Sequence, residues 1–307
     1  MIGTREKTSR MSQNVISTSP SSTEILYALG VEPVAVSHAC DHPPEAADLP
    51  TIDVSKVDAE ASADRHDQVR AATANGHLYQ MDAEAIDDAD PDLIVTQGVC
   101  GVCAVDDVLV DETLADLDAD PEVLALDASR LKDVLECVHD VGAATGTEAR
   151  ADELVADLRE RIVALEERVP AAPRPRTAVL EWMDPVRPAS TWVPDIVELA
   201  GGEYELSEPG ERSAPVEWET VLEYDPEVLV VAPCGFDAER TREQFGELSD
   251  RPGWEELTAV REDRVFILDG GAYLTRWTPR LVDAAERLAT LCHPDEFGEP
   301  PADVVRL

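Results

Sequence analysis

Basic charge is scarce in this chain. Its 307 residues include 25 Lys+Arg against 65 Asp+Glu, which gives a formal net charge of −40, and only Lys7, Lys56 and Lys132 are lysines. Because phosphates and anionic lipids would be repelled by such a charge, nucleic acids and anionic membrane surfaces are excluded as partners. An acidic surface with few lysines indicates adaptation to molar salt, where the Debye length falls to about 3 Å and self-repulsion is screened.

Long apolar runs are also missing. The chain has no stretch of about 18 apolar residues, so no membrane-spanning segment is predicted. Residues 1–20 contain basic residues but no apolar core, so neither a secretory signal nor a lipobox is predicted, and Met11 is an alternative start. These absences predict a cytoplasmic protein. Six cysteines do not make a disulfide scaffold in a chain of this length.

Signatures of catalysis are absent as well. The sequence contains no G-x-S-x-G elbow, no P-loop, no H-E-x-x-H and no G-x-G-x-x-G after a predicted strand. Paired acids such as Asp87-Asp88 do not indicate catalysis, because in so acidic a chain they are expected on the solvated faces of helices. We therefore predict a protein that is not an enzyme.

A long amphipathic segment, TEARADELVADLRERIVALEERV, occupies residues 147–169. Its apolar residues recur at steps of three and four, which places them on one face of an α-helix. Thr147 offers an N-cap, and Pro170 ends the segment because proline cannot continue a helix. The apolar positions are Leu154, Leu158, Ile162, Leu165 and Val169.

The sequence follows the same plan on both sides of this helix. ADPDLIVTQGVC (89–100) and YDPEVLVVAPCG (224–235) each combine an acidic-Pro-acidic opening, an apolar run and a cysteine, and EVLALD (122–127) and RVFILD (264–269) each precede a helical segment. Alternating strands and helices predict parallel sheets. The repetition predicts two Rossmann-like α/β lobes joined by a single long α-helix, with a ligand cleft between the lobes. Chance similarity of short α/β segments is the alternative.

This plan divides the chain into five parts. The predicted parts are a tail (1–13), an N-terminal α/β lobe (14–146), the linker helix (147–169), a C-terminal α/β lobe (170–293) and a Pro-rich second tail (294–307).

Three cysteines, Cys40, Cys100 and Cys234, each come just after a predicted strand, and Cys100 forms a C-x-x-C pair with Cys103. The pair is compatible with a thioredoxin-like redox centre, because a helix N-terminus lowers the pKa of a thiol. It is also compatible with a metal site whose two further ligands come from Cys40, Cys234, His38 or His42. A third interpretation is that these are small apolar residues of a binding loop.

Aromatic residues make up 5% of the chain, so their positions are informative. Trp182, Trp192, Phe236, Tyr273 and Trp277 all fall in predicted loops or strand ends of the second lobe. Flat aromatic surfaces beside a cleft suit a large ligand with apolar faces.

Several motifs resemble one family over about residues 14–292. ISTSPSSTEILYALG (16–30), the DPDLIVTQ and DPEVLVVAP strands, ELAGGE (198–203) and RPGWEELTAVREDRVFILD (251–269) resemble the substrate-binding proteins of ABC importers for cobalamin and iron–siderophores. VSHACDHPP, TQGVCGVC and LEWMDP are most similar to the cobalamin-binding branch. These family members are usually periplasmic or attached to the cell surface.

The resemblance implies a monomer that holds cobalamin, or a related corrinoid or metal chelate, between its lobes and works with an ABC permease. The alternative is a cytosolic metal- or redox-active protein in which Cys40, Cys100, Cys103 and Cys234 bind zinc or an iron–sulfur cluster. By motif position, the implied ligand-binding residues are Ser19, Pro20, Ser21, Cys40, Asp41, Gln97, Cys100, Cys103, Glu181, Trp182, Trp192, Cys234, Gly235, Phe236 and Tyr273.

Overall fold

The first lobe is built on a four-stranded parallel sheet. A computed structural model describes residues 13–57, 62–74, 76–98, 104–115, 117 and 120–307. The sheet has the strand order β2-β1-β5-β6, and β3 and β4 form a separate antiparallel pair. The elements are β1 (Val15–Ser17), α1 (Pro20–Ala28), β2 (Ala35–Val36), β3 (Asp53–Ser55), α2 (Ser62–Ala74), β4 (Tyr79–Met81), α3 (Ala83–Ala89), β5 (Leu93–Gln97), α4 (Asp107–Leu114), β6 (Glu122–Leu126) and α5 (Leu131–Thr145).

The second lobe follows the linker helix α6 (Glu148–Arg168) and has the strand order β11-β10-β9-β7-β8. Its inner pairings are parallel and its two outer strands are antiparallel. Its elements are β7 (Thr177–Trp182), β8 (Arg187–Pro188), α7 (Val193–Leu199), α8 (Trp218–Tyr224), β9 (Val228–Val231), α9 (Ala238–Gln244), α10 (Gly246–Ser249), α11 (Thr258–Arg261), β10 (Val265–Ile267), α12 (Gly270–Tyr273), α13 (Leu281–Cys292), α14 (Pro294–Phe297) and β11 (Val305–Arg306).

Both central strands are buried along their whole length, β5 in the first lobe and β9 in the second. Continuous apolar runs are expected for parallel strands that are covered by helices on both faces. The predicted fold class, two α/β lobes joined by one long helix, is therefore confirmed. The exact limits of the lobes, 14–146 and 170–293, stay predictions.

The linker helix is packed into the largest core of the molecule rather than standing apart from it. That core contains Val138 of α5, Leu158 of α6, Ile196 of α7 and Leu288 of α13. Outside the core, Arg161 of α6 donates to Asp283 and Glu286 of α13, with Nη2 2.5 Å from Oδ1 and 2.8 Å from Oε2. Apolar packing and ion pairs together fix α6 against the second lobe.

Two sequence expectations about the C-terminal part are wrong. Tyr273 was expected in a loop, but it ends the one-turn helix α12, which Asp269 caps by accepting from the Ala272 amide at 2.8 Å. Residues 294–307 were expected to be a tail, but β11 pairs with β10 at the edge of the sheet. Both elements are too short to show a hydrophobic period. The N-terminal tail lies, up to residue 12, outside the described residues.

Candidate ligand cleft between the lobes

The carboxyl ends of the two parallel sheets face each other. Gln97, the last residue of β5, accepts a hydrogen bond at 3.4 Å from the indole N–H of Trp277, which lies beyond β10. Further contacts described below also join loops that follow strands of opposite lobes. Ligands of open α/β sheets bind at such strand ends. We call the space between these two edges the cleft.

On the first lobe, the turn between β1 and α1 is held by hydroxyl groups. Ser19 caps α1 by accepting from the Ser22 amide at 3.1 Å, and the Ser17 and Ser22 hydroxyls lie 2.7 Å apart. Pro20 occupies the first helical position, where its missing N–H costs nothing. Ser19, Pro20 and Ser21, predicted to contact a ligand, are all buried. The turn is therefore rigid, and the Ser19 hydroxyl is used in capping.

Four charged side chains connect the lobes across the cleft, and we call them the cleft ion-pair set: Glu24, Asp41, Arg276 and Arg280. Arg280 donates to both oxygens of Glu24, with Nε–Oε2 at 2.8 Å and Nη2–Oε1 at 2.5 Å. Arg276 forms a bidentate pair with Asp41 at 2.6 and 3.1 Å and also donates to Glu24 at 3.3 Å. Paired forks of this kind are the strongest ion-pair geometry that proteins use.

Burial and ion pairing shift the pKa values of Asp41 and Arg276 in opposite directions. Burial alone would raise the pKa of Asp41, but the hydrogen bonds and the positive charge of Arg276 outweigh it and hold that pKa below its usual range. Burial would lower the pKa of Arg276, but Asp41 and Glu24 outweigh it and raise that pKa. Asp41 and Arg276 are therefore both charged at neutral pH.

The two described cysteines of the predicted site differ in exposure. Cys40 is 4% exposed, its sulfur lies 3.1 Å from the Thr23 hydroxyl, and burial raises the pKa of its thiol to about 12. Cys234 is half-buried, and its amide donates to the backbone oxygen of Glu181 at 3.1 Å. Cys40 thus behaves as a small apolar residue of the core, whereas Cys234 reaches the surface.

The cysteine–metal alternative receives no support. Within the ranges that the structure describes, no group of three or more His, Cys, Asp or Glu side chains is arranged to hold a metal ion. Cys100 and Cys103, and the C-x-x-C hypothesis that rests on them, lie outside the described residues. We therefore derive no zinc or iron–sulfur chemistry for this chain.

The aromatic residues predicted to line the cleft are packed more tightly than the sequence indicates. The ring of Trp182 meets Phe236 edge-on at 5.4 Å between centroids, and the two side chains are 9% and 1% exposed. Trp192 belongs to the main core and donates to the Leu274 carbonyl at 2.8 Å. Trp182 and Phe236 thus support the edge of the cleft, whereas Trp192 is a core residue in this conformation.

Two further predicted site residues, Tyr273 and Gly235, differ in how accessible they are to a ligand. The Tyr273 hydroxyl donates to Asp303 at 2.7 Å and accepts from Arg287 at 2.8 Å, so it is tied to the C-terminal segment. Gly235 has a positive φ of 72°, and a Cβ built on it would have no atom within 4 Å. The backbone at Gly235 is therefore open to a ligand, whereas the Tyr273 hydroxyl is occupied.

A second bridge between the lobes is formed by Ser62, the first residue of α2. Its carbonyl accepts from the Trp182 indole at 3.2 Å, and its hydroxyl accepts from the Asp184 amide at 3.1 Å. Its own N–H and hydroxyl donate to Glu247. The polar segment 51–77 contains no predicted site residue, yet it supplies this bridge.

Two concave regions lie on the described part of the molecule. A pocket of about 260 Å³ lies along the first turns of α9 and is lined by Asp237, Arg240 and Gln244 among others. This is below the range of roughly 300–1,000 Å³ that is usual for ligand sites. A larger groove, about 750 Å³, lies between α5, α6 and α7 and contains none of the predicted site residues.

No pattern in the sequence indicates Glu24, Arg276, Arg280 or Ser62. All but three of the 25 Lys+Arg residues are arginine, so residue type alone does not single out Arg276 and Arg280, which lie between α12 and α13. Glu24 falls within α1 and is 5% exposed. A carboxylate is almost never buried without a partner, so the burial of Glu24 indicates an ion pair. That burial is visible only once the fold is known.

Comparison with known families agrees with this architecture. A family model described as periplasmic binding protein matches residues 15–272. The chain belongs to the periplasmic binding protein family. Its resemblance to substrate-binding proteins of ABC importers is thereby confirmed.

Three similar proteins extend over most of the chain. An uncharacterized ABC transporter substrate-binding lipoprotein, YvrC of Bacillus subtilis (strain 168), is 24% identical over 94% of this chain and 82% of its own length. A periplasmic heme binding protein from Pseudomonas aeruginosa superposes with a TM-score of 0.74, at 19% identity over 96% of this chain and 98% of that one. The periplasmic vitamin B12 binding protein BtuF of Vibrio cholerae gives 0.66, at 22% identity over 91% and 96%.

Membership of the periplasmic binding protein family decides several expectations. The protein is not an enzyme, and it binds a small-molecule solute for an ABC permease. The predicted cytoplasmic location is not supported, because the family is periplasmic and the Bacillus relative is a lipoprotein. Among the described residues, no helix has the length and apolar character that crossing a membrane requires.

Proposed function

We propose that this periplasmic binding protein holds cobalamin or a related corrinoid between its lobes and presents it to an ABC permease. The observation that carries the proposal is the charge balance of the cleft. Arg276 and Arg280, the two cations that reach across it, each have carboxylate partners on the opposite lobe. Such a cleft favours a ligand without carboxylates, and the side chains of a corrinoid are amides.

The likeness to a vitamin B12 binding protein supports the same ligand class, as do the cobalamin-branch motifs VSHACDHPP and LEWMDP. Heme carries two propionates, which would compete with Glu24 and Asp41 for the same guanidinium groups. The heme-binding relative has the higher TM-score, 0.74 against 0.66, so similarity of fold does not favour a corrinoid, and the choice between the two ligand classes rests on the charge balance. Delivery to a permease places the protein outside the cytoplasmic membrane.

Ligand access then follows from the interlobe contacts. The Asp41 side chain is 66% exposed, so solvent screens its ion pair with Arg276 and little free energy is needed to break that pair. The cleft opens, the corrinoid enters with its ring beside Gly235 and Trp182, and the lobes close over it.

Calorimetric titration of cyanocobalamin into reduced protein, with visible absorbance recorded in parallel, tests the proposal. We expect saturable one-to-one binding. A folded protein that gives neither heat nor a spectral change with cyanocobalamin would contradict the corrinoid assignment.

The position of the ligand is tested by Trp182→Ala with Trp254→Ala as its matched control. Both indoles are buried in the same core cluster of the second lobe, at 9% and 6% exposure, but Trp254 stacks on Trp218. Both variants lose stability, and only Trp182→Ala should lose affinity, by about tenfold or more. Equal affinity in the two variants would place the ligand elsewhere.

A further inference from the structure

The buried carboxylate of Glu24 lies inside the cleft, and the ion-pair partners that it has among the described residues are on the opposite lobe. Its side chain is 4% exposed, and it faces the side chains of Arg276 and Arg280, which are 14% and 19% exposed. Glu24 accepts three hydrogen bonds from these two guanidinium groups. Nothing in the packing of the first lobe needs a carboxylate here, because the neighbouring residues of α1, Ile25 and Leu26, fill the core.

The geometry places Glu24 where a ligand carboxylate would bind. A guanidinium fork recognises a carboxylate with two parallel hydrogen bonds, and Arg280 already makes both of them to Glu24. A ligand carboxylate could take this place only by displacing Glu24. The displaced carboxylate would then remain buried without a partner, which is strongly unfavourable.

We propose that Glu24 is a specificity-determining residue, a built-in counter-anion that reserves Arg276 and Arg280 and excludes carboxylate-bearing ligands from the cleft. Asp41 assists it by holding the other edge of Arg276 in a bidentate pair. The inference rests on the proposed function, since it requires the cleft to be the ligand site.

Removing the counter-anion should therefore convert the cleft into a binder of dicarboxylates. The probe is protoporphyrin IX, whose two propionates are charged at neutral pH and which contains no iron that the cysteines could coordinate. In Glu24→Ala we expect its affinity, relative to that for cyanocobalamin, to rise about tenfold or more over the wild-type ratio, because hydrogen bonds to charged groups become available. In Asp41→Asn the rise should be smaller.

Further variants keep the test decisive. Glu24→Gln preserves the side-chain volume and serves as the test if Glu24→Ala does not fold. Asp41→Asn should fold normally, because the Asp41 side chain is exposed. Asp157→Asn is the control: it makes the same charge change on the solvent face of α6 and should leave porphyrin affinity at the wild-type value.

The outcomes separate the two proposals. If folded Glu24→Ala, Glu24→Gln and Asp41→Asn all bind protoporphyrin no more tightly than wild type, Glu24 does not determine specificity. If wild type fails to bind cyanocobalamin, the corrinoid proposal is wrong, and the change in absolute porphyrin affinity still decides the role of Glu24. A gain in Asp157→Asn equal to that in Glu24→Ala would assign the effect to net charge and overturn the inference.

Discussion

The indole nitrogen of Trp182 lies 3.2 Å from the backbone oxygen of Ser62, so the last residue of β7 is bonded to the first residue of α2. The Ser62 hydroxyl also accepts from the amide of Asp184. The contacts of Ser62 therefore join the two lobes, as do the cleft ion-pair set and the hydrogen bond from Trp277 to Gln97.

This bridge predicts a local effect of Ser62→Ala. The substitution removes the hydroxyl that accepts from the Asp184 amide but keeps the backbone carbonyl that accepts from Trp182. We expect hydrogen exchange at the Asp184 amide to become several-fold faster, because the variant loses the two bonds that the Ser62 hydroxyl makes to the other lobe, with Asp184 and with Glu247. Thr73→Ala on the same helix is the control, since the Thr73 hydroxyl donates to the Val69 carbonyl within α2. Equal exchange at Asp184 in wild type and Ser62→Ala would show that the bridge is not formed in solution.

Gly270 predicts a steric effect at the second-lobe edge of the cleft. A Cβ at this position would lie 2.5 Å from the backbone oxygen of Ala232 and 2.6 Å from that of Pro233, and backbone atoms cannot yield as a side chain can. Gly270→Ala should therefore destabilise the fold by about 1–3 kcal/mol, the usual cost of overpacking. The measurement is urea unfolding followed by circular dichroism.

The adjacent glycine gives a matched control for that experiment. A Cβ at Gly271 would have its nearest neighbour at 3.5 Å, which is ordinary contact. Gly271→Ala should change the free energy of unfolding by less than about 0.5 kcal/mol. If both variants are equally stable, the close approach of Gly270 to β9 is not real.

Much of the fold could be predicted from local sequence patterns. The apolar period of residues 147–169 predicts the helix that the structure shows as Glu148–Arg168, and the paired acidic-Pro-acidic strands predict β5 and β9. These signals work because a helix or a buried strand leaves its period in a short stretch of chain.

The cleft was harder to predict because its contacts are distant in the chain. Glu24 and Arg280 are 256 positions apart, and no local pattern relates them. An aromatic residue near a strand end or in a loop shows only that a ring is present: Trp182 belongs to the core cluster of the second lobe, whereas Trp192 belongs to the main core. Burial of a ring depends on the neighbours that the fold brings to it.

Leu158 of α6 tests whether the linker helix is part of the core. It is 2% exposed and packs in the cluster shared by both lobes, whereas Val163 on the same helix is 51% exposed. Leu158→Ala should lower the free energy of unfolding by about 2–5 kcal/mol. Val163→Ala should change it by no more than about 0.5 kcal/mol. Equal losses in the two variants, measured by urea unfolding, would contradict the packing of α6.

The thiols give a prediction that depends on pH. Burial raises the pKa of Cys40 and of Cys137 to about 12, and that of Cys292 to about 11, from an ordinary value of 9.0. A raised pKa leaves a thiol protonated at pH 8, and only the thiolate attacks an alkylating reagent. We expect iodoacetamide at pH 8 to modify the half-buried Cys234 and to leave these three thiols intact in the folded protein.

Peptide mass mapping assigns each modification to its cysteine, so reaction at positions 100 and 103 does not obscure the result. Raising the pH from 8 to 10 should still leave Cys40 unmodified, because its thiolate forms in quantity only near pH 12. Denaturation in urea at pH 8 should expose Cys40 and restore ordinary reactivity. Modification of native Cys40 at the rate of Cys234 would contradict the burial of Cys40 beside Thr23 in the first lobe.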